Sequence, residues 1–384
     1  MALDAERLAG EMLLRPGAPA GAAIQSSRPE LVQRLTSGRA AAEVPALLGA
    51  VFMLCSHAHR WTAERAIAQA QAQAQALGQG GDITNADRQA HRVATAREQL
   101  LRLGHDWPRL LPGAAGHAQL LQGCPLWVRE GSDEQRLAQL PEWLAERWLG
   151  CTPTAWLQAY EAAPAEGPGR WADAGQGALA AMLQAQRAAC QALKAAGPVL
   201  NLLTDPSRHM PALAARMAGE AHFCAQPHWL GSVPDTGPWT RINDPHPRTV
   251  LTAWDRLVAR LVDLLRLTAP DGAHWLQAGA LALGPGEGMA WTEMARGLLV
   301  HWVRLEGAAH ERVAAYRVLA PTEWNFHPHG VLASALQALP AGAAANDAAA
   351  RLAVAFDPCV RFRMASEGGL REDAAHSSGV NSDA

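Results

Sequence analysis

The residues in this sequence whose types could do chemistry are Cys55, His59, Arg296 and Cys359. Thiolates are soft metal ligands, an imidazole binds metal or orients a neighbour through its ring N–H, and a guanidinium pairs with anions without losing its proton. Cys55 opens Cys55-Ser56-His57-Ala58-His59, one thiol and two imidazoles within five residues. On residue type alone this is either a ligand set or a core cysteine beside a helix-end histidine, and the cluster by itself favours the core cysteine. Arg296, taken alone, reads as a solvated helix-face residue. His222-Phe223-Cys224 with His228 could be drawn as a metal box, but the intervening Pro227 and the lack of a second thiol pair favour a surface loop. Gly284-Pro285-Gly286-Glu287-Gly288 lacks the Gly-Lys-Ser/Thr ending of a phosphate loop and reads as a turn. Cys124, Cys151, Cys190 and Cys224 have no partners in sequence and read as structural thiols.

The bulk properties exclude several classes. Thirty-three basic against 36 acidic residues leave a formal net charge of −3, which gives no electrostatic footprint for nucleic acid or an anionic membrane. Six cysteines in 384 residues are too sparse for a disulfide scaffold, and no two form a Cys-x-x-Cys pair. The start, Met1 to Arg7, carries acidic residues and no long apolar run, and no later stretch reaches membrane-spanning length. The expectation is a cytoplasmic protein with reduced thiols, no membrane insertion and no nucleic-acid partner.

Helices must position most of these groups, since Ala and Leu dominate and Tyr and Phe are few. After a loop-like lead through Pro16 and Pro19, an apolar run from Pro45 to Phe52 precedes the Cys55 cluster. Trp61 to Leu77 reads as helix, Gly78 to Asp82 breaks it, and Thr84 with Asp87 forms a capping box for a second helix to Leu103, making an antiparallel hairpin. Residues 104–177 are rich in Trp and Pro and hard to read; helix returns from Gly177 to Ala196 and from Met210 to Met217. Thr249–Leu267 is amphipathic, with Val250, Trp254, Leu257, Val258, Leu261 and Leu265 on one face and Asp255, Arg256, Arg260 and Asp263 away from it. It reads as a bundle element without chemistry. The fourteen Trp are expected as core or partner-facing anchors.

The segments Ala320-Pro321-Thr322-Glu323-Trp324-Asn325 and Phe356-Asp357-Pro358-Cys359 resemble the C-terminal signature of nickel-iron hydrogenase large subunits, Pro-Thr-x-Trp-Asn followed by Asp-Pro-Cys-x-x-Cys-x-x-His. Phe362 stands where the second cysteine of that signature would be, and Ala365 where its histidine would be. Near the start, the family's Cys-Gly-x-Cys-x-x-x-His matches Phe52, Cys55 and His59, with Phe52 replacing the first cysteine. Gly237-Pro238-Trp239-Thr240-Arg241 resembles its Gly-Pro-x-x-Arg segment. Glu293-Met294-Ala295-Arg296-Gly297 with His301 follows its Glu-Ala-Pro-Arg-Gly and histidine. Counting back from Gly38 places Gln33 where the large subunits carry a glutamate, with Glu30 as a displaced equivalent. A kept frame with lost ligands resembles the HupK/HoxV type of hydrogenase expression/formation protein.

The resemblance implies a mainly α fold with a small antiparallel β element near 298–322, a reduced large-subunit-like domain over 1–364 and a polar, disordered tail over 365–384. It implies metal ligation by Cys55 and Cys359, and cofactor contacts by Arg296 and His59. With two of four thiolates replaced by phenylalanine, neither nickel binding nor hydrogen turnover is expected, so the chain is expected not to be an enzyme. An Fe(CN)2(CO) fragment, its coordination sphere largely filled, would need only two thiolates and a guanidinium to receive its cyanide nitrogens. The buried positive charge of Arg296 would also favour the thiolate forms of Cys55 and Cys359. Three classes therefore compete: a transient scaffold for that fragment, a metal-free chaperone mimicking the large subunit, and a hydrogen-oxidising enzyme, the last disfavoured by the missing ligands. The implied partners are a hydrogenase large-subunit precursor and iron-delivering accessory proteins.

Overall fold

The computed structural model describes residues 10–72, 83–117 and 119–365. Two short strands, β1 (Glu11–Leu14) and β2 (Ile24–Ser26), pair antiparallel around the Pro16 to Pro19 loop. Helix α1 (Val44–Val51) ends at Phe52, and the tight turn Met53–Cys55 breaks the axis by 105° before α2 (Ser56–Gln71). Helix α3 (Asn85–Leu101) begins at the expected capping box, in which Asp87 N donates to Thr84 Oγ1 at 3.1 Å and Thr84 N to the Asp87 carboxylate at 3.0 Å. Trp61 and Arg65 both reach Asp87, while His57 lies beside His91. These contacts run α2 and α3 in opposite senses, as the hairpin expectation requires. The expected helix end at Leu77, the break at Gly78 to Asp82 and the tail from residue 366 onward lie outside the described residues.

The Trp-rich stretch that was hard to read is helical over Asp133–Leu144, Pro153–Ala162 and Gly167–Ala174. It delivers Trp107, Trp148 and Trp156 to the main core, the anchoring role expected of them. Helices α4 (Ala178–Ala192), α5 (Pro206–Gly219) and α6 (Ala253–Thr268) follow. The expected amphipathic face of α6 is present, but its polar side does not meet solvent: Arg256, Arg260 and Asp263 are each 0% exposed. Periodicity distinguishes apolar from polar faces. It cannot show that a polar face is covered by a second layer that answers its charges.

The answering groups come from loops and a neighbouring helix: Asp235 takes Arg256, Asp357 takes Arg260, and Arg241 and Gln99 reach Asp263. A four-stranded antiparallel sheet is formed by β3 (Ala278–Gly284), β4 (Glu287–Met294), β5 (Gly297–Glu306) and β6 (Arg312–Leu319). The Gly284 to Gly288 turn joins β3 to β4. The sheet begins at Ala278 rather than near 298, because β3 is built of Ala, Gly and Leu, residues whose local preference points away from strand. Both faces are covered. Met210, Leu213 and Met217 of α5 pack against Met289, Trp291, Val300 and Trp302, while Ala63, Ala66, Ile67 and Ala70 of α2 pack against Ala280, Ala290, Val303 and Leu305. A sheet buried on both sides loses the apolar–polar alternation that marks a strand in sequence.

Helix α7 (Pro321–Asn325) and helix α8 (Asn346–Phe356) complete the core, and β7 (Arg361–Met364) pairs in parallel with β1, placing Phe362 opposite Met12. Among the described residues no single helix is long and apolar enough to cross a membrane.

Candidate functional site

Cys55 sits at the foot of α2, its N–H donating to Phe52 O at 3.0 Å, and packs with Ala58, Met294, Leu299 and Ala320. It is 4% exposed. Cys359 lies between α8 and β7, half-buried, and Thr322 Oγ1 donates to its Sγ at 3.1 Å. Ala320 and Thr322 are two residues apart on the lead into α7, so one short segment touches both cysteine neighbourhoods. Trp324 of the same box is buried in the core. Asn325 donates to Thr236 O at 2.8 Å and Phe356 O at 3.3 Å, and its Oδ1 accepts from Thr236 N at 2.9 Å. The Pro-Thr-x-Trp-Asn box is thus a bracket: Thr322 holds the thiol while Asn325 ties down the segment before Arg241 and the end of α8.

Arg296 occupies the tight turn between β4 and β5, not a helix face, and is 3% exposed. Gly297 beside it adopts φ +128°, and a Cβ there would stand 2.5 Å from Thr236 Oγ1. Arg296 Nη1 donates to Glu98 Oε2 of α3 at 3.0 Å, and Nε lies 3.6 Å from Asp357 Oδ2 with no hydrogen-bond acceptor among the described residues. Burial opposes its charge, but Asp357, Glu98, Cys55 and Cys359 together hold the proton more tightly than usual. Met294, two residues before Arg296, packs on Cys55, and Asp357, which faces Arg296, lies two residues before Cys359.

Asp357 is its hub. The residue caps α8 at φ +57°, a left-handed conformation uncommon outside glycine. Its carboxylate takes Arg102 Nε at 2.7 Å and Arg260 Nη1 at 2.9 Å, and Arg102 Nη2 also donates to Pro358 O at 2.8 Å. Arg260 is one of the α6 residues for which the sequence suggested no chemistry. Its neighbour Asp263 accepts from Arg241 of the Gly-Pro-x-x-Arg segment at 2.8 and 2.9 Å, and from Gln99 at 2.6 Å. Glu98 is pushed up to about 7 by burial, against the pull of Arg296 and Arg102.

His59 is enclosed and stacks on Phe52, with ring centroids 3.9 Å apart at 12°. The phenylalanine standing where a cysteine was expected from the family pattern thus braces the imidazole. His59 Nδ1 meets His301 Nε2 at 3.1 Å, and His301 Nδ1 meets the Tyr316 hydroxyl at 2.8 Å. Burial keeps both imidazoles neutral, His301 falling to about 3 and His59 well below the usual value. Among the described residues the Tyr316 hydroxyl has no other hydrogen-bond partner; a relay in which Tyr316 donates to His301 and His301 to His59 satisfies all three groups and leaves the proton of His59 on Nε2.

The thiolate expectation needs correction at Cys55. Burial pushes its thiol up and Glu98 pushes it further, while Arg296 and Arg28 pull it back without prevailing. The positive charge is present, but desolvation outweighs it. Gln33 is structural: its Oε1 accepts from Tyr316 N at 2.9 Å and from Arg317 Nη1 at 2.6 Å. Glu30 lies on the surface beside His222. Among the described residues no group of three or more His, Cys, Asp or Glu side chains converges as a metal site, the His222 to His228 loop included.

Sequence reasoning missed Arg28, Glu98 and Glu323 at this site. Arg28, just after β2, pairs with Glu323 of α7, a contact across nearly the whole chain that no local pattern announces. The one available signal was Glu323 itself, a carboxylate inside an otherwise uncharged box.

A family model described as nickel-dependent hydrogenase matches residues 252–361. The chain is 37% identical over 381 residues to the hydrogenase expression/formation protein HoxV of Cupriavidus necator, covering 93% of this chain and 95% of that one. It is 30% identical over 361 residues to the hydrogenase expression/formation protein HupK of Rhizobium leguminosarum bv. viciae, covering 89% and 91%. Among solved structures, the Ni-Fe-Se hydrogenase from D. vulgaris Hildenborough superimposes with a TM-score of 0.50 at 14% identity, over 88% of this chain and 92% of that one, a likeness of fold. On these two relatives, each covered over nearly its whole length, the chain belongs to the HupK/HoxV family of hydrogenase expression/formation proteins.

Proposed function

We propose that this protein serves hydrogenase maturation as a transient carrier of the Fe(CN)2(CO) fragment, held between Cys55 and Cys359, and that it is not itself a hydrogen-oxidising enzyme. The observation that carries this is the placement of Arg296, buried, unable to lose its charge, and electrostatically coupled to both cysteines while its Nε lacks an acceptor. A cyanide nitrogen is an acceptor of the kind that donor lacks. Low-spin iron with three diatomic ligands already bound asks for few further donors, and two sulfurs suit its softness. Nickel would need the thiolates that Phe52 and Phe362 replace. The first now stacks on His59, and the second lies in β7 against the main core. His59, with its proton on Nε2, is the further donor proposed for the cargo or its sulfur ligand. The partners this role calls for are the iron-delivering accessory proteins and the large-subunit precursor.

The rise in the Cys55 thiol favours a second reading, a metal-free chaperone whose cysteines remain thiols. Infrared spectroscopy separates the two on protein purified without air from cells expressing the rest of the maturation machinery. Cyanide and carbonyl stretches are expected in the wild type and are expected to vanish in Cys55→Ala and in Cys359→Ala. Wild-type protein that supports maturation but shows no such bands would leave only the metal-free reading.

A further inference from the structure

The loop after β2 brings a second guanidinium to the segment that holds Cys359. Arg28 pairs through Nη1 with Glu323 Oε1, and Glu323 adjoins Thr322, whose hydroxyl donates to Cys359. The Arg28 side chain is 13% exposed. Burial works against its charge, but the sulfur of Cys359, the carboxylate of Glu323 and the sulfur of Cys55 hold its proton more firmly than usual. Its backbone is fixed from behind: Gly10 adopts φ +67°, and a Cβ there would stand 2.7 Å from Arg28 Cα. Arg296 is anchored differently, to Glu98 and Asp357.

We infer that Arg28 is a second anion-binding group of the Cys55–Cys359 site, held by Glu323 when the site is empty and turned onto a cyanide ligand of the iron fragment when it is loaded. This rests on the carrier reading above and deepens it. Two guanidiniums anchored on different elements make the site selective by charge. They repel a bare divalent cation approaching the thiols, and they attract a fragment that presents cyanide nitrogens. Glu323 compensates Arg28 in the empty protein, so the buried charge is never unpaired.

The experiment has one arm that needs no cargo. Cys359 of the full chain is alkylated with anionic iodoacetate and, separately, with neutral iodoacetamide, and the modified peptide is followed by mass spectrometry. The ratio of the two rates cancels the thiolate fraction and reports local positive charge. Arg28→Gln is expected to lower that ratio about threefold or more and Glu323→Gln to raise it, while Arg28→Lys, which keeps the charge, holds it near the wild-type value. In the second arm, loaded Arg28→Gln is expected to show cyanide stretches shifted from those of the wild type, with Arg28→Lys nearer to it. An unchanged rate ratio in Arg28→Gln overturns the inference. So do cyanide bands that Arg28→Gln leaves unmoved in a loaded protein, although the carrier reading then survives. A wild type with no bands at all overturns both.

Discussion

Asp357 answers three guanidiniums, those of Arg102, Arg260 and Arg296, from a backbone conformation that costs free energy on its own. Burial works to raise its carboxyl, but the three positive charges win and hold it below its ordinary value of 3.8. A carboxylate with a depressed native value stabilises the fold at pH above its unfolded value, and the contribution is lost as pH falls through the native one. Asp357→Asn is therefore expected to destabilise the protein by about 3–5 kcal/mol at neutral pH, because it leaves buried cations uncompensated. The loss should shrink below about pH 4, where the unfolded chain begins to take up the proton, and vanish as pH falls through the lower value of the folded carboxyl. Denaturant unfolding of both proteins between pH 3 and 7 checks this, and a difference that stays constant with pH would refute it. Cys55, His59, Arg296 and Cys359 were legible because their neighbours in sequence follow a motif. Arg28, Glu98 and Arg260 were not, because what defines them is a partner far away in the chain, and Arg260 additionally looked like the wet side of an amphipathic helix.

The sheet and α2 meet at Gly288, where a Cβ would come within 2.3 Å of Ala66 O and 2.5 Å of Ala70 N. Gly288→Ala must push α2 away from β4, and α2 carries both Cys55 at its foot and His59 on its first turn. A cost of about 3 kcal/mol is expected, in the range of overpacked cores, together with weaker retention of the infrared bands. A variant that unfolds at the wild-type denaturant midpoint would show that the helix is free to shift. The capping box at Thr84 and the helix it starts were legible, since side chains three residues apart decide them, and α6 was legible from its periodicity, while its capping box at Thr252 was not read. The outer strand β3 was not. Its Ala-Gly-Ala-Leu-Ala-Leu-Gly run has no strand preference of its own and becomes one by pairing with β4 and packing under α2.

The three-stranded sheet β2-β1-β7 joins segments from far apart in the sequence, with β1 pairing in parallel with β7 and Ala365 N donating to Leu14 O at 2.9 Å. No periodicity in either segment reveals this, because parallel pairing over such a separation is decided only by the assembled core. Leu14 is fully buried, and Leu14→Ala is expected to cost about 3 kcal/mol and to speed amide hydrogen exchange in Arg361–Met364 ahead of the sheet β3–β6. Equal acceleration in both sheets would show that β1 and β7 are not a separate unit of stability. Because Cys359 lies two residues before β7, and β7 pairs with β1, the position of this thiol is set by a strand from the far side of the sequence, and it is not in place until β1 and β7 have met.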